Sequence, residues 1–117
     1  MIPLFTGWGK MSHPGRSVRY LQQLVLTIQD KSSCTSKNKK YKRITDQMLC
    51  AANTDVVENQ SGCHGDSGGP FVCENGNGSW TLHGAVSWGS PRCNIKEAHT
   101  VFARVGQFRK WIDSKIQ

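Results

Sequence analysis

The sequence predicts an all-β domain: a barrel carrying a single helix at its C-terminal end. Three observations support this. Twelve Gly and four Pro lie among four Trp, four Phe and two Tyr in 117 residues, the composition of a turn-rich β domain. Short runs of β-branched and aromatic residues alternate with turn signals. Only beyond Val105 does the apolar period lengthen to three and four residues. A chain of this length buries one modest core, which excludes two independent domains. At 20% charged residues it is not a disordered tail.

Thr6-Gly7-Trp8-Gly9-Lys10 is a compact turn cluster, and Tyr20 to Ile28 reads as a strand. Between Lys31 and Arg43, Lys31, Lys37, Lys39, Lys40, Lys42 and Arg43 crowd a stretch with almost no aliphatic residues. This predicts a solvated loop, which a bridge from Cys34 to Cys50 would staple. Ile44–Ala51 and Pro70–Cys73 read as strands entering the core. Asn75-Gly76-Asn77-Gly78 is a strong hairpin signal leading into a strand at Trp80–Trp88. Thr100–Val105 is the last strand. Val105, Phe108, Trp111, Ile112 and Ile116 then mark one apolar face of a helix expected to dock on the barrel.

The cysteines at 34, 50, 63, 73 and 93 contain no CxxC pair, which argues against a zinc or thioredoxin-type site. Their spacing in a small Gly-rich β domain favours disulfides and an oxidising compartment. An odd count leaves one over. No apolar run approaches the roughly 18 residues of a membrane span, and Met1-Ile2-Pro3-Leu4-Phe5 lacks the features of a secretory signal. A signal, for a secreted protein, is therefore expected outside these residues. The net charge of +7 and the basic segment Lys37, Lys39, Lys40, Lys42 and Arg43 would attract protein inhibitors or polyanions at low salt. With Tyr41 alone interleaved, that segment lacks the stacking aromatics of a nucleic-acid site.

Gly62-Cys63-His64-Gly65-Asp66-Ser67-Gly68-Gly69-Pro70 is the most informative segment. Four glycines around one serine permit backbone conformations closed to residues with a Cβ, so that amide groups can converge on one concavity. Such a nest suits a developing oxyanion. Ser67 is the candidate nucleophile, with the Gly65 and Ser67 amides as donors.

Extended to Phe71-Val72-Cys73, this segment resembles the nucleophile region of the trypsin/chymotrypsin-like serine endopeptidases. Ser87-Trp88-Gly89-Ser90, followed by Cys93, is similar to their substrate-binding strand, and Thr6-Gly7-Trp8-Gly9 to the opening of their second barrel. The Cys34 to Cys50 loop and Phe108–Ile112 match in the same order. The resemblance implies the second six-stranded antiparallel barrel of a chymotrypsin-like fold with a C-terminal helix. Residues 1–117 are then expected to be the C-terminal portion of a peptidase domain whose first barrel is absent. It further implies a secreted enzyme acting on polypeptide substrates without metal or organic cofactor, and no association with membranes or nucleic acid.

Residue by residue, the resemblance also exposes departures. That family sets its catalytic histidine after Ala-Ala, whereas Ala51-Ala52 precedes Asn53, and neither His13, His64, His83 nor His99 has the required context. The triad histidine and aspartate are therefore expected from absent sequence. Asp66 matches the aspartate that pairs with a newly released N-terminal amine on activation, and nothing like that N-terminus begins this chain. Cys63 is expected to pair with Cys93. Relatives carry a cysteine where Pro3 stands, so Cys73 is left unpaired.

The pocket implied by the resemblance comprises Ser61, Gly62, His64, Ser87, Trp88, Gly89 and Thr100. Ser61 is its neutral floor, His64 its rim, Gly89 an open wall and Thr100 a narrowing side chain. A floor without a carboxylate cannot compensate a buried cation, so cleavage after apolar residues is expected, in a chymotrypsin- or elastase-like manner. Asn77-Gly78-Ser79 and Asn59-Gln60-Ser61 are glycosylation sequons. Without triad partners, the chain alone is expected to be inactive; the rival expectation is an inactive protease-like binding module.

Overall fold

The computed structural model describes residues 3–9, 19–37, 39–52, 67–89 and 99–116. Seven strands occur among them: β1 (Pro3–Gly7), β2 (Gln22–Val25), β3 (Thr27–Gln29), β4 (Met48–Ala52), β5 (Pro70–Glu74), β6 (Trp80–Gly89) and β7 (His99–Arg104). They form one antiparallel sheet in the order β2-β1-β5-β6-β7-β4-β3.

The two ends of that order are consecutive in the chain. β2 and β3 are halves of one segment bent at Leu26, whose first half pairs with β1 and whose second pairs with β4. Counted once, the bent strand makes a six-stranded, nearly closed barrel. Leu26 is fully buried, and its amide donates to the Pro3 carbonyl at 3.3 Å. The corner therefore places an apolar side chain inside while keeping its backbone donor satisfied.

Alternation along the strands sorts side chains between two clusters. Phe5, Leu26, Leu49, Ala51, Phe71 and Phe102 fill the barrel. Phe102 stacks on Phe71 at 4.6 Å between ring centroids and meets Phe5 edge-on at 5.9 Å. Cys34, Tyr41, Ile44, Cys50 and Val101 form a second cluster on the opposite side of β4 and β7.

The basic stretch is not the solvated loop its composition predicts. Lys31–Lys37 forms helix α1, and Lys39–Arg43 forms a 3₁₀ turn. Asp30 caps α1: its Oδ1 accepts from the Ser33 amide at 2.7 Å and from Ser32 Oγ at 3.0 Å. The Ser33 backbone bond, then the Ser33 and Ser32 side-chain interactions, hold the Asp30 carboxyl below its ordinary range. A disulfide joins Cys34 of α1 to Cys50 of β4, and Tyr41 anchors the turn with no exposed surface. One buried aromatic and one bridge outweigh a local run of cations whose charged ends can remain in water.

The hairpin between β5 and β6 forms as its turn residues predict. The Asn75 amide donates to the Ser79 carbonyl at 2.7 Å, and Gly78 takes a φ of 86°. At the C-terminus, Val105–Phe108 is a 3₁₀ turn leading into helix α2 (Arg109–Lys115). Of the apolar face expected to dock, Val105, Phe108 and Ile112 are half-buried. The preceding turn packs against β6, whereas Trp111 and Ile116 are 62% and 71% exposed.

Candidate functional site

Ser67 is exposed and opens the turn that feeds β5. Gly68 follows with a φ of 79°, a left-handed conformation that favours glycine. This reversal lets the Gly68 amide donate to the Val86 carbonyl at 2.8 Å, while the Val86 amide donates to the Gly69 carbonyl at 3.0 Å. Two backbone bonds thus hold the serine turn against β6 one residue before Ser87.

At Ser87 the ladder is irregular. Val86 pairs with Phe102, yet Trp88 pairs with the adjacent Val101, so Ser87 is an extra residue in β6. Such a bulge reverses the alternation and re-aims the strand beyond it. Val86 packs against the barrel interior. Trp88, which simple alternation would also send inward, joins the outer cluster with Tyr41. Ser87 itself is exposed.

Trp88 and Tyr41 stack with ring centroids 5.6 Å apart and planes 16° from parallel. The Tyr41 hydroxyl donates to the His99 carbonyl at 3.1 Å, which ties the 3₁₀ turn to the start of β7. Lys40 lies with its ammonium 5.3 Å from the Tyr41 ring centroid and donates to the Gly89 carbonyl at 2.9 Å. The stapled segment therefore grips the ends of both β6 and β7. Lys40 and Tyr41 were not expected at the site; the one signal for them was a lone aromatic in an otherwise charged run.

Gly89 has a packing requirement of its own. A Cβ there would lie 2.8 Å from the His99 carbonyl oxygen, because Gly89 is in register with Thr100 across a close β6–β7 approach. Thr100 is 2% exposed and stands between Gly89 and Ala51 in the sheet. Cys73 is free and buried, directly opposite Pro3 in the β1–β5 register. Burial pushes its thiol pKa up, which makes it a poor nucleophile at neutral pH.

Ser67, Ser87, Trp88, Gly89 and Thr100 are thus assembled around the end of β6. Ser61, Gly62, Cys63, His64, Gly65, Asp66 and Cys93 lie outside the described residues, and with them the pocket floor, the first oxyanion donor and the Cys63–Cys93 pairing. Of the basic residues, Lys39, Lys42 and Arg43 are exposed, whereas Lys40 is partly buried against β6. Among the described residues no cluster of His, Cys, Asp or Glu could hold a metal ion, and no helix is long and apolar enough to cross a membrane.

The trypsin family model matches residues 3–112. Chymotrypsin-C of Rattus norvegicus is 38% identical over 113 residues, covering 96% of this chain and 41% of that protein. Chymotrypsin-C of Bos taurus, at 37%, and of Mus musculus, at 38%, match over the same extent. The chain spans about two fifths of the length of these curated relatives.

Proposed function

The chain belongs to the trypsin family, and we propose that it supplies the nucleophile and much of the substrate pocket of a secreted serine endopeptidase. Ser67 attacks the peptide carbonyl, and the Gly65 and Ser67 amides hold the resulting oxyanion. The histidine and aspartate that activate Ser67 come from polypeptide outside these 117 residues. Asp66 sets the oxyanion loop by pairing with a released N-terminal amine. The edge of β6 at Ser87–Gly89 receives the substrate backbone as an added strand.

The observation that supports this best is the turn at Ser67. An exposed serine within Gly65-Asp66-Ser67-Gly68-Gly69 is fastened to β6 by the Gly68 and Val86 amides, beside the exposed Ser87. Nucleophile and substrate strand are thereby held by one piece of backbone. For specificity, the neutral Ser61 favours apolar side chains, and Thr100 narrows the pocket toward Leu and Met. Lys39, Lys42 and Arg43 form an exposed basic face for polyanions or protein inhibitors, whose grip weakens as salt is raised.

The test is active-site labelling of the full-length protein with a fluorophosphonate, alongside its Ser67→Ala variant and a peptide-library cleavage profile. Labelling confined to Ser67, with cleavage after Leu, Met, Phe or Tyr, is expected. Labelling that persists in the variant would remove Ser67 as the nucleophile. Dominant cleavage after Arg or Lys would show that Ser61 is not the pocket floor.

A further inference from the structure

Beyond Val86, β6 runs past the end of β5. The last β5 pairing joins Pro70 to Ala85, and the bonds between Val86 and the Gly68–Gly69 turn close that side of the ladder. Among the described residues, Trp88 and Gly89 keep strand partners only on β7. A strand edge without a partner among the described residues offers its N–H and C=O groups to an incoming peptide, and it serves better the more firmly its orientation is fixed. An added strand gains affinity from main-chain hydrogen bonds whose donors and acceptors are already aligned.

The basic segment supplies that restraint. Lys40 Nζ donates to the Gly89 carbonyl at 2.9 Å in a partly buried setting. A bond from a charged donor is stronger than one between neutral groups. The same ammonium rests against the Tyr41 ring, which in turn stacks on Trp88. The support is itself held, because the disulfide between Cys34 and Cys50 fastens its helix to β4. Gly89 presents no side chain through which the strand could be anchored, since a Cβ there would strike His99. Its carbonyl is therefore the available handle, and a carbonyl oxygen has a second lone pair left for other donors.

We infer that Lys40 is a positioning residue for substrate: its ammonium fixes the Gly89 carbonyl and so aligns the open edge of β6 for extended peptides. The inference rests on the reading of Ser87–Gly89 as the substrate strand. Lys40 touches neither the reacting bond nor the nucleophile, so its effect falls on binding of the peptide backbone and grows with the number of residues laid along β6. A cation counted by composition as part of a solvated face is in this way committed inward.

The experiment compares the full-length protein with its Lys40→Met and Lys40→Arg variants on a single-residue ester and an acylated tetrapeptide substrate. Lys40→Met should raise KM for the tetrapeptide by about three- to tenfold, the range expected for one hydrogen bond, with kcat and the ester kinetics unchanged. Lys40→Arg should restore most of that loss. An unchanged tetrapeptide KM, or an equal loss on both substrates, overturns the inference. Hydrogen exchange at the Trp88 and Gly89 amides is followed in the same proteins without need of turnover, and should quicken by about three- to tenfold in Lys40→Met. Unchanged exchange overturns the inference for any protein, active or not. A responsive strand in a protein that cleaves nothing overturns the peptidase reading alone.

Discussion

Gly89 shows how a single missing methyl group can serve packing. With a Cβ 2.8 Å from the His99 carbonyl, Gly89→Ala must push β6 from β7 at the point where Lys40 and Tyr41 hold them. We expect a loss of about 1–3 kcal/mol, typical of overpacking against unyielding neighbours, read as a lower urea midpoint with an unchanged slope. An unchanged midpoint would mean that the strands separate freely there. Pro3 invites the opposite change. It faces Cys73 across β1 and β5, a separation within reach of a disulfide. Pro3→Cys should therefore yield a bond between residues 3 and 73 that adds about 4 kcal/mol by restricting the unfolded chain. Two titratable thiols in the folded, air-oxidised variant would contradict the register.

Among the elements, α1 and its following turn depart furthest from the sequence pattern. Six basic residues between Lys31 and Arg43 describe a surface, and Lys31, Lys39, Lys42 and Arg43 do lie on one. Yet Asp30 caps the helix, Cys34 bridges to Cys50, and Tyr41 packs beneath β6 and β7. Replacing both Cys34 and Cys50 by Ala should cost about 3 kcal/mol from the loop closed by the bridge. It should also loosen the Trp88–Tyr41 stack, giving a red-shifted tryptophan emission in the still-folded protein. A blue shift, or none, would show that Tyr41 holds its place without the staple. Most strands were legible because alternation and turn residues act locally; β1 was not, since Thr6 and Gly7 read as part of a turn cluster although they end that strand. The 3₁₀ turn was not, because the partners that anchor it, Trp88 and His99 for Tyr41 and Gly89 for Lys40, lie far along the chain.

For the whole molecule, barrel closure is the governing event. One bent strand completes the sheet on both sides, and Leu26 is the corner on which it folds. The same closure carries β6 past β5 and leaves the Ser67 turn and the Ser87–Gly89 edge together. We expect the isolated 117-residue chain to show no serine-peptidase turnover on a Leu or Phe ester. A serine hydroxyl without its general base retains only about 10³ to 10⁴-fold catalysis over water, from the oxyanion site and binding. Turnover abolished by Ser67→Ala in that chain would demand a base from within it, with His64 and His83 the first to replace.

Local chemistry was enough to single out Ser67 among its glycines as a candidate, and to give the sequence positions of most strands and the hairpin at Asn75–Gly78. Each depends on residue type and near-neighbour spacing, which a linear chain displays directly. The fate of Trp88 was not among these. Its outward turn follows from one extra residue in β6 opposite β7, and bulges arise from pairing between strands. Nor could composition assign Lys40, whose acceptor lies 49 residues away. A lysine in a charged run and a lysine aimed at a partly buried carbonyl have the same sequence signature, and only closure of the barrel brings Gly89 within its reach.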